Sequence, residues 1–221
     1  DQGKYRVRIP HGTQSRESHY RRENPTAPGN DPGTTLVGTD LGLIDVPLDL
    51  GNSLGTVAPA ERLDVIVDFA GFPVGTEIIL RNDETTPPLL PSIMKFNVTD
   101  QPGHTGAIAG TLRPVTPMAE SSADATRYFR LWKDAGAECK DGSGRLVNEW
   151  LVESLDGPGG SVIGKYWDDL TDFPILGNRE VWELENPTNY MHPMHVHLVK
   201  FQILSKTDLS TGQPIPLEHW E

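Results

Sequence analysis

The sequence predicts an all-β protein assembled from sandwich or barrel units, and three observations carry that expectation. Its 22 glycines and 19 prolines are spread through 221 residues, which interrupts the backbone too often for long helices. Between them recur short runs rich in β-branched and aromatic residues, each bounded by Gly, Pro, Asn or Asp. Within "RLDVIVDFA", Leu63, Val65, Val67 and Phe69 alternate with Arg62, Asp64, Ile66 and Asp68, the period-two pattern of a strand with one face in a core.

In chain order, "KYRVRI", "TTLVGTD", "RLDVIVDFA", "TEIILRN" and "IMKFNVTD" supply strands within residues 1–99. Residues 100–126, rich in Pro, Gly, Ser, Thr and Ala without a sustained period, read as an inter-domain linker. A second β unit, 127–221, opens with "TRYFRLWK". Residues 133–178 read as a long connection containing Trp150 and Trp167, after which "REVWELEN" and "HVHLVKFQIL" restart strand structure.

The formal charge of −12, from 31 acidic against 19 basic residues, gives a surface that repels nucleic acid and anionic membrane. No apolar run is long enough for a membrane span. Cys139 is the single cysteine, so no intrachain disulfide can form, and its loop-forming neighbours suggest an incidental thiol. Asn97 to Thr99 forms a sequon at the end of a strand-like run, a weak signal for glycosylation. The acidic stretch "KYWDDLTDF" reads as solvated loop carboxylates without a calcium-loop spacing. His11, His19, His104 and His219 sit in polar or loop-like contexts and are expected to be exposed rings.

"NYMHPMHVHLVKFQIL" concentrates chemistry. In an extended strand His195 and His197 project to one side, with Cα atoms about 6 to 7 Å apart. Their imidazoles can then meet at one metal. Pro193 stiffens the turn ahead of them and sets His192 apart from the pair. Imidazole suits copper, zinc, iron or nickel, and no carboxylate interrupts the cluster to suggest a hard ion. Three crowded rings are unfavourable without a shared partner.

"WELENPTNYMHPMHVHLVKFQIL" resembles the segment opening the copper-binding face of the third cupredoxin domain in multicopper oxidases, particularly the branch of bilirubin oxidase, spore-coat laccase and phenoxazinone synthase. The match includes Trp182, Glu183, Asn186, the His192-Pro193-x-His195-x-His197 core, Leu198, Val199 and Phe201. "LVGTDLGLIDVPLDL" and "TVAPAERLDVIVDFA" resemble the second domain of that branch through Asp40, Pro59, Ala60, Glu61, Arg62 and Asp68. In "KYRVRIPHGTQSR", Gly12 and Arg16 agree with the usual turn, while His11 stands where Asn is expected. The resemblance covers most of 1–99 and about 175–205.

It implies cupredoxin-like Greek-key sandwiches, incomplete at both ends: the second domain over 1–99 and the N-terminal part of the third over 127–221. It also implies an oxidase coupling one-electron oxidation of phenolic or tetrapyrrole donors to reduction of dioxygen. By the same resemblance His192 binds the type 1 copper, His195 the type 2 copper and His197 one of the type 3 pair. A blue copper also needs a thiolate, which the family supplies from a His-Cys-His segment, and Cys139 has no histidine beside it. The remaining ligands are therefore expected from missing parts of the same protein or from another chain. The rival reading is an inactive cupredoxin-like metal-binding or scaffold module. A cuprous-ion oxidase is less favoured, because Met94, Met118, Met191 and Met194 form no methionine-rich segment.

Overall fold

A computed structural model describes residues 1–13, 16–85, 90–134, 140–145, 147–166 and 168–217. Fourteen strands follow in order: β1 Lys4–Pro10, β2 Ser18–Glu23, β3 Thr34–Thr39, β4 Gly42–Asp49, β5 Ser53–Val57, β6 Arg62–Asp68, β7 Glu77–Asn82, β8 Ser92–Asn97, β9 Ala125–Asp134, β10 Glu149–Leu155, β11 Val162–Gly164, β12 Glu180–Glu185, β13 Lys206–Thr207 and β14 Pro214–Ile215. Among the described residues the only helical element is a 3-10 turn at Glu120–Ser122, and no helix is long and apolar enough to cross a membrane. Two compact units emerge, one formed by Asp1–Thr116 with Pro193–Lys200, the other by Pro117–His192 with Phe201–Leu217. Cys139, Trp167 and His219 lie outside the described residues.

The first unit is a sandwich of two four-stranded sheets, ordered β1-β6-β3-β4 and β5-β2-β7-β8. Leu36, Leu63, Val65 and Val67 from one sheet meet Tyr20, Leu54, Ile78 and Leu80 from the other in a single buried core. Each such side chain contributes roughly 1.5 to 3 kcal/mol by leaving water. The alternation in β6 is thus realised on its inner face. Part of the expected linker is tied to this unit, since Pro102 and His104 bridge to Gln2 and Lys4 and Leu112 N–H donates to the Asp45 carbonyl.

The outer face of β6 holds a surprise. Asp64 alternates outward with Arg62 and Ile66 yet is only 2% exposed. Arg8 stands opposite it on β1, and Arg6 grips it through Nε at 2.8 Å and through Nη2. Gly38 leaves the necessary space, because a Cβ there would meet Asp64 Cβ at 3.2 Å and the Gly42 carbonyl oxygen at 2.7 Å. The hydrogen bond from Arg6, more than its charge or that of Arg8, holds the Asp64 carboxyl below the usual carboxylate range. A depressed folded value stabilises above the unfolded pKa, near 3.9, and that stabilisation disappears as pH falls through the folded value. Asp64→Asn should cost about 1 to 2 kcal/mol at pH 7, at the low end because Arg6 stands largely in solvent. Urea denaturation of both proteins should show that difference shrinking below about pH 4.

His11 corrects the expectation of an exposed ring, being 2% exposed. Its Nε2 lies 2.8 Å from Ser18 Oγ and its backbone bonds reciprocally with Glu61 and Ala60. It pins the turn after β1 to the turn before β6.

The second unit is a sheet ordered β11-β10-β9-β12, with β13 and β14 as a separate hairpin. Strand β10 falls inside the stretch expected to be a connection. Its seven residues pair antiparallel with β9, Leu151 facing Trp132 and Val152 facing Leu131, so the ladder rather than a clear alternation makes it a strand. Strand β12 runs parallel to β9. Trp182 packs on Phe129 with ring centroids 4.9 Å apart, and its indole N–H donates to Glu180, which Arg127 also holds at 2.7 Å.

Candidate metal centre

Beyond β12 the chain enters a turn organised by Asn186. The Asn186 side-chain oxygen accepts from Thr188 N–H at 3.1 Å and from Thr188 Oγ1 at 2.6 Å, while its amide nitrogen donates to the Tyr190 carbonyl at 2.8 Å. Thr188 Oγ1 lies 3.1 Å from His192 Nε2. A hydroxyl has one proton. With that proton committed to Asn186, Thr188 can only accept from His192 Nε2–H, which leaves the Nδ1 lone pair as the nitrogen for a metal.

Trp150, on β10, lies against His192 with ring centroids 4.9 Å apart and meets Tyr190 edge-on at 5.2 Å. Lys133 caps both aromatic rings at 5.2 and 4.9 Å. Partial burial lowers the His192 pKa below its ordinary value, keeping the ring neutral and competent to ligate. Neither Trp150 nor Thr188 was foreseen as part of the site. Trp150 was hidden in a stretch lacking strand periodicity, whereas Asn186-Pro187-Thr188 carries a readable signal, an Asn whose side chain bonds two residues ahead.

His195 and His197 do not lie on a strand. Residues 191–205 pair with no ladder, and Leu198 adopts a φ of 70°, a left-handed conformation that bends the backbone where continued extension was expected. The two rings nonetheless sit side by side, edge to face with centroids 5.0 Å apart. Both are exposed. The pairing of imidazoles therefore stands without a strand to carry it.

The donors suit copper: one imidazole is held in a defined tautomer, and two others stand side by side. A multicopper oxidase family model matches residues 169–218. The chain is 32% identical to a laccase of Bacillus stratosphericus over 218 residues, covering 94% of this chain and 37% of that protein. The chain carries a multicopper oxidase domain segment and is related to laccases. The chain is also 28% identical to the bilirubin oxidase of Albifimbria verrucaria, across 81% of its own length and 30% of the relative's. A crystal structure of a variant of the McoA multicopper oxidase from Aquifex aeolicus superposes with a TM-score of 0.65 at 24% identity, over 92% of this chain and 42% of that one. The fold is cupredoxin-like. The chain thus spans little more than a third of the length of the laccase it matches.

Proposed function

We propose that this chain is part of a laccase-like oxidase that takes single electrons from a phenolic or tetrapyrrole donor and delivers them to dioxygen, forming water. In this reading 1–99 is the second cupredoxin-like domain, 100–126 the inter-domain linker and 127–221 the N-terminal part of the third, copper-binding domain. His192 would ligate the type 1 copper, His195 the type 2 copper and His197 one of the type 3 pair. Copper, when bound, supplies one-electron redox chemistry at the first position and the reduction of dioxygen at the others.

The chain's own residues have defined tasks. Thr188, set by Asn186, holds the proton on His192 Nε2 and so presents Nδ1. Trp150 restricts the ring's rotation and shields it from water. The adjacent imidazoles of His195 and His197 support the reading most directly, because two exposed rings at 5.0 Å offer paired nitrogen donors. The remaining ligands, the thiolate of the blue copper among them, come from further parts of the same protein or from another chain.

Copper analysis and the visible spectrum of the protein purified from its native source test this. About four copper ions with an intense thiolate-to-copper band are expected. A colourless protein with one metal ion or fewer would instead identify a cupredoxin-like binding module.

A further inference from the structure

An ammonium group stands close to the His192 ring. Lys133, near the end of β9, lies directly opposite Trp150 on β10, and its Nζ sits 5.2 Å from the centre of the Trp150 ring and 4.9 Å from that of Tyr190. Trp150 in turn lies 4.9 Å from His192, centre to centre. The ammonium is therefore no more than about 10 Å from the middle of the imidazole, near enough for a fixed charge to act on whatever the ring binds. All four residues belong to one compact unit.

The cation is held in place. Lys133 is half-buried, its backbone is fixed by the β9–β10 ladder, and both rings attract it through their electron-rich faces. Arg127, Arg130 and Arg145 of the same unit each meet a carboxylate, whereas Lys133 has no ion pair among the described residues. Trp150 and Tyr190 also displace part of the water and salt that would otherwise screen the charge.

We propose that Lys133 raises the reduction potential of the copper ion bound by His192, which rests on the reading of His192 as a type 1 copper ligand. One electron from the phenolic or tetrapyrrole donor converts cupric to cuprous ion and lowers the charge of the site by one. The donor is left as a radical cation, or as a neutral phenoxyl radical once its hydroxyl proton has passed to solvent. A neighbouring cation disfavours the higher charge and so draws the equilibrium towards reduced copper. The rest of the chain pulls the other way, because a net charge of −12 favours the more positive state. A unit charge at about 10 Å, at the effective dielectric constant of a protein surface, shifts such an equilibrium roughly 10-fold.

Redox titration of the blue band in the complete, copper-loaded protein at low ionic strength tests the role of Lys133. At a fixed solution potential, K133Q should lower the ratio of reduced to oxidised copper about 10-fold, K133E should lower it further, and K133R should keep it within about 2-fold of the parent. K133M retains most of the apolar stem over the rings and should match K133Q. A lysine that only packs on the aromatic rings would make K133M, K133Q and K133E equivalent. Equal ratios for K133Q and K133E, or a K133Q ratio equal to the parent's, would therefore overturn the proposal. Because the titration is at equilibrium, any change in how fast a charged donor reaches the site does not enter. A blue band with an unmoved potential refutes the role of Lys133 alone, whereas a protein without a blue band refutes the reading of His192 as well.

Discussion

An oxidase carrying His195→Ala and His197→Ala together is expected to lose dioxygen-consuming turnover by more than about 100-fold while keeping its blue absorption. Removing a second-sphere partner alone typically costs 10 to 100-fold in metal affinity or activity, so roughly that loss is a lower bound for deleting two residues proposed as direct ligands. An oxygen electrode reports the turnover and copper analysis reports the missing ions. Thr188→Val is the counterpart. It removes the acceptor that holds the His192 proton, and should alter the blue band while leaving in place the copper proposed at His195 and His197. If both changes affected the same spectral feature equally, the division of labour between His192 and the pair would be wrong.

The second large effect is on folding. Arg22→Ala should destabilise the first unit by about 3 kcal/mol, measured by urea denaturation at pH 7. Arg22 is 1% exposed, and its guanidinium donates to the Pro32 carbonyl at 3.1 Å and the Gly51 carbonyl at 2.6 Å. Burial, opposed by Asp31 and Asp49, pushes its pKa down to about 10, which leaves it charged at neutral pH. Truncation empties a packed volume and takes the guanidinium donor from the Pro32 carbonyl, while the Gly51 carbonyl keeps its bond from Thr34 N–H at 2.8 Å. Arg22→Met keeps most of the volume and loses only the hydrogen bonds, so about half the cost is expected. Equal losses for the two variants would show that packing contributes nothing at this position.

The all-β class was legible because Gly, Pro and β-branched residues act locally, and β6 could be placed because its inner side chains keep a strict period of two. Asp64 was not legible as a buried residue. Its alternation points outward, and only the register with Arg6 and Arg8 shows that two cations and the bare backbone of Gly38 enclose it. Strand β10 escaped for a related reason, since its existence depends on pairing with β9 rather than on its own pattern. The converse error occurred at "HVHLVKFQIL", where local propensity favours a strand but, among the described residues, no neighbouring backbone completes the ladder and Leu198 turns away. The histidine triplet was visible as spacing. Its supporting shell was not, because Trp150 reaches His192 from far away in the sequence and Thr188 acts through a hydroxyl that periodicity ignores.

The parallel pairing of β12 with β9 has a kinetic consequence. Arg127 and Glu180, which lock the two strands, are separated by 53 positions, so a long loop must close before the pairing yields any free energy. The antiparallel β9–β10 ribbon joins partners nearer in sequence and should form earlier. The turn at Asn186, which leaves directly from β12, is therefore among the last regions of its unit to acquire a fixed conformation. Slow refolding recorded at Trp182 or Tyr190, after β9 and β10 amides have become protected from exchange, would be its signature.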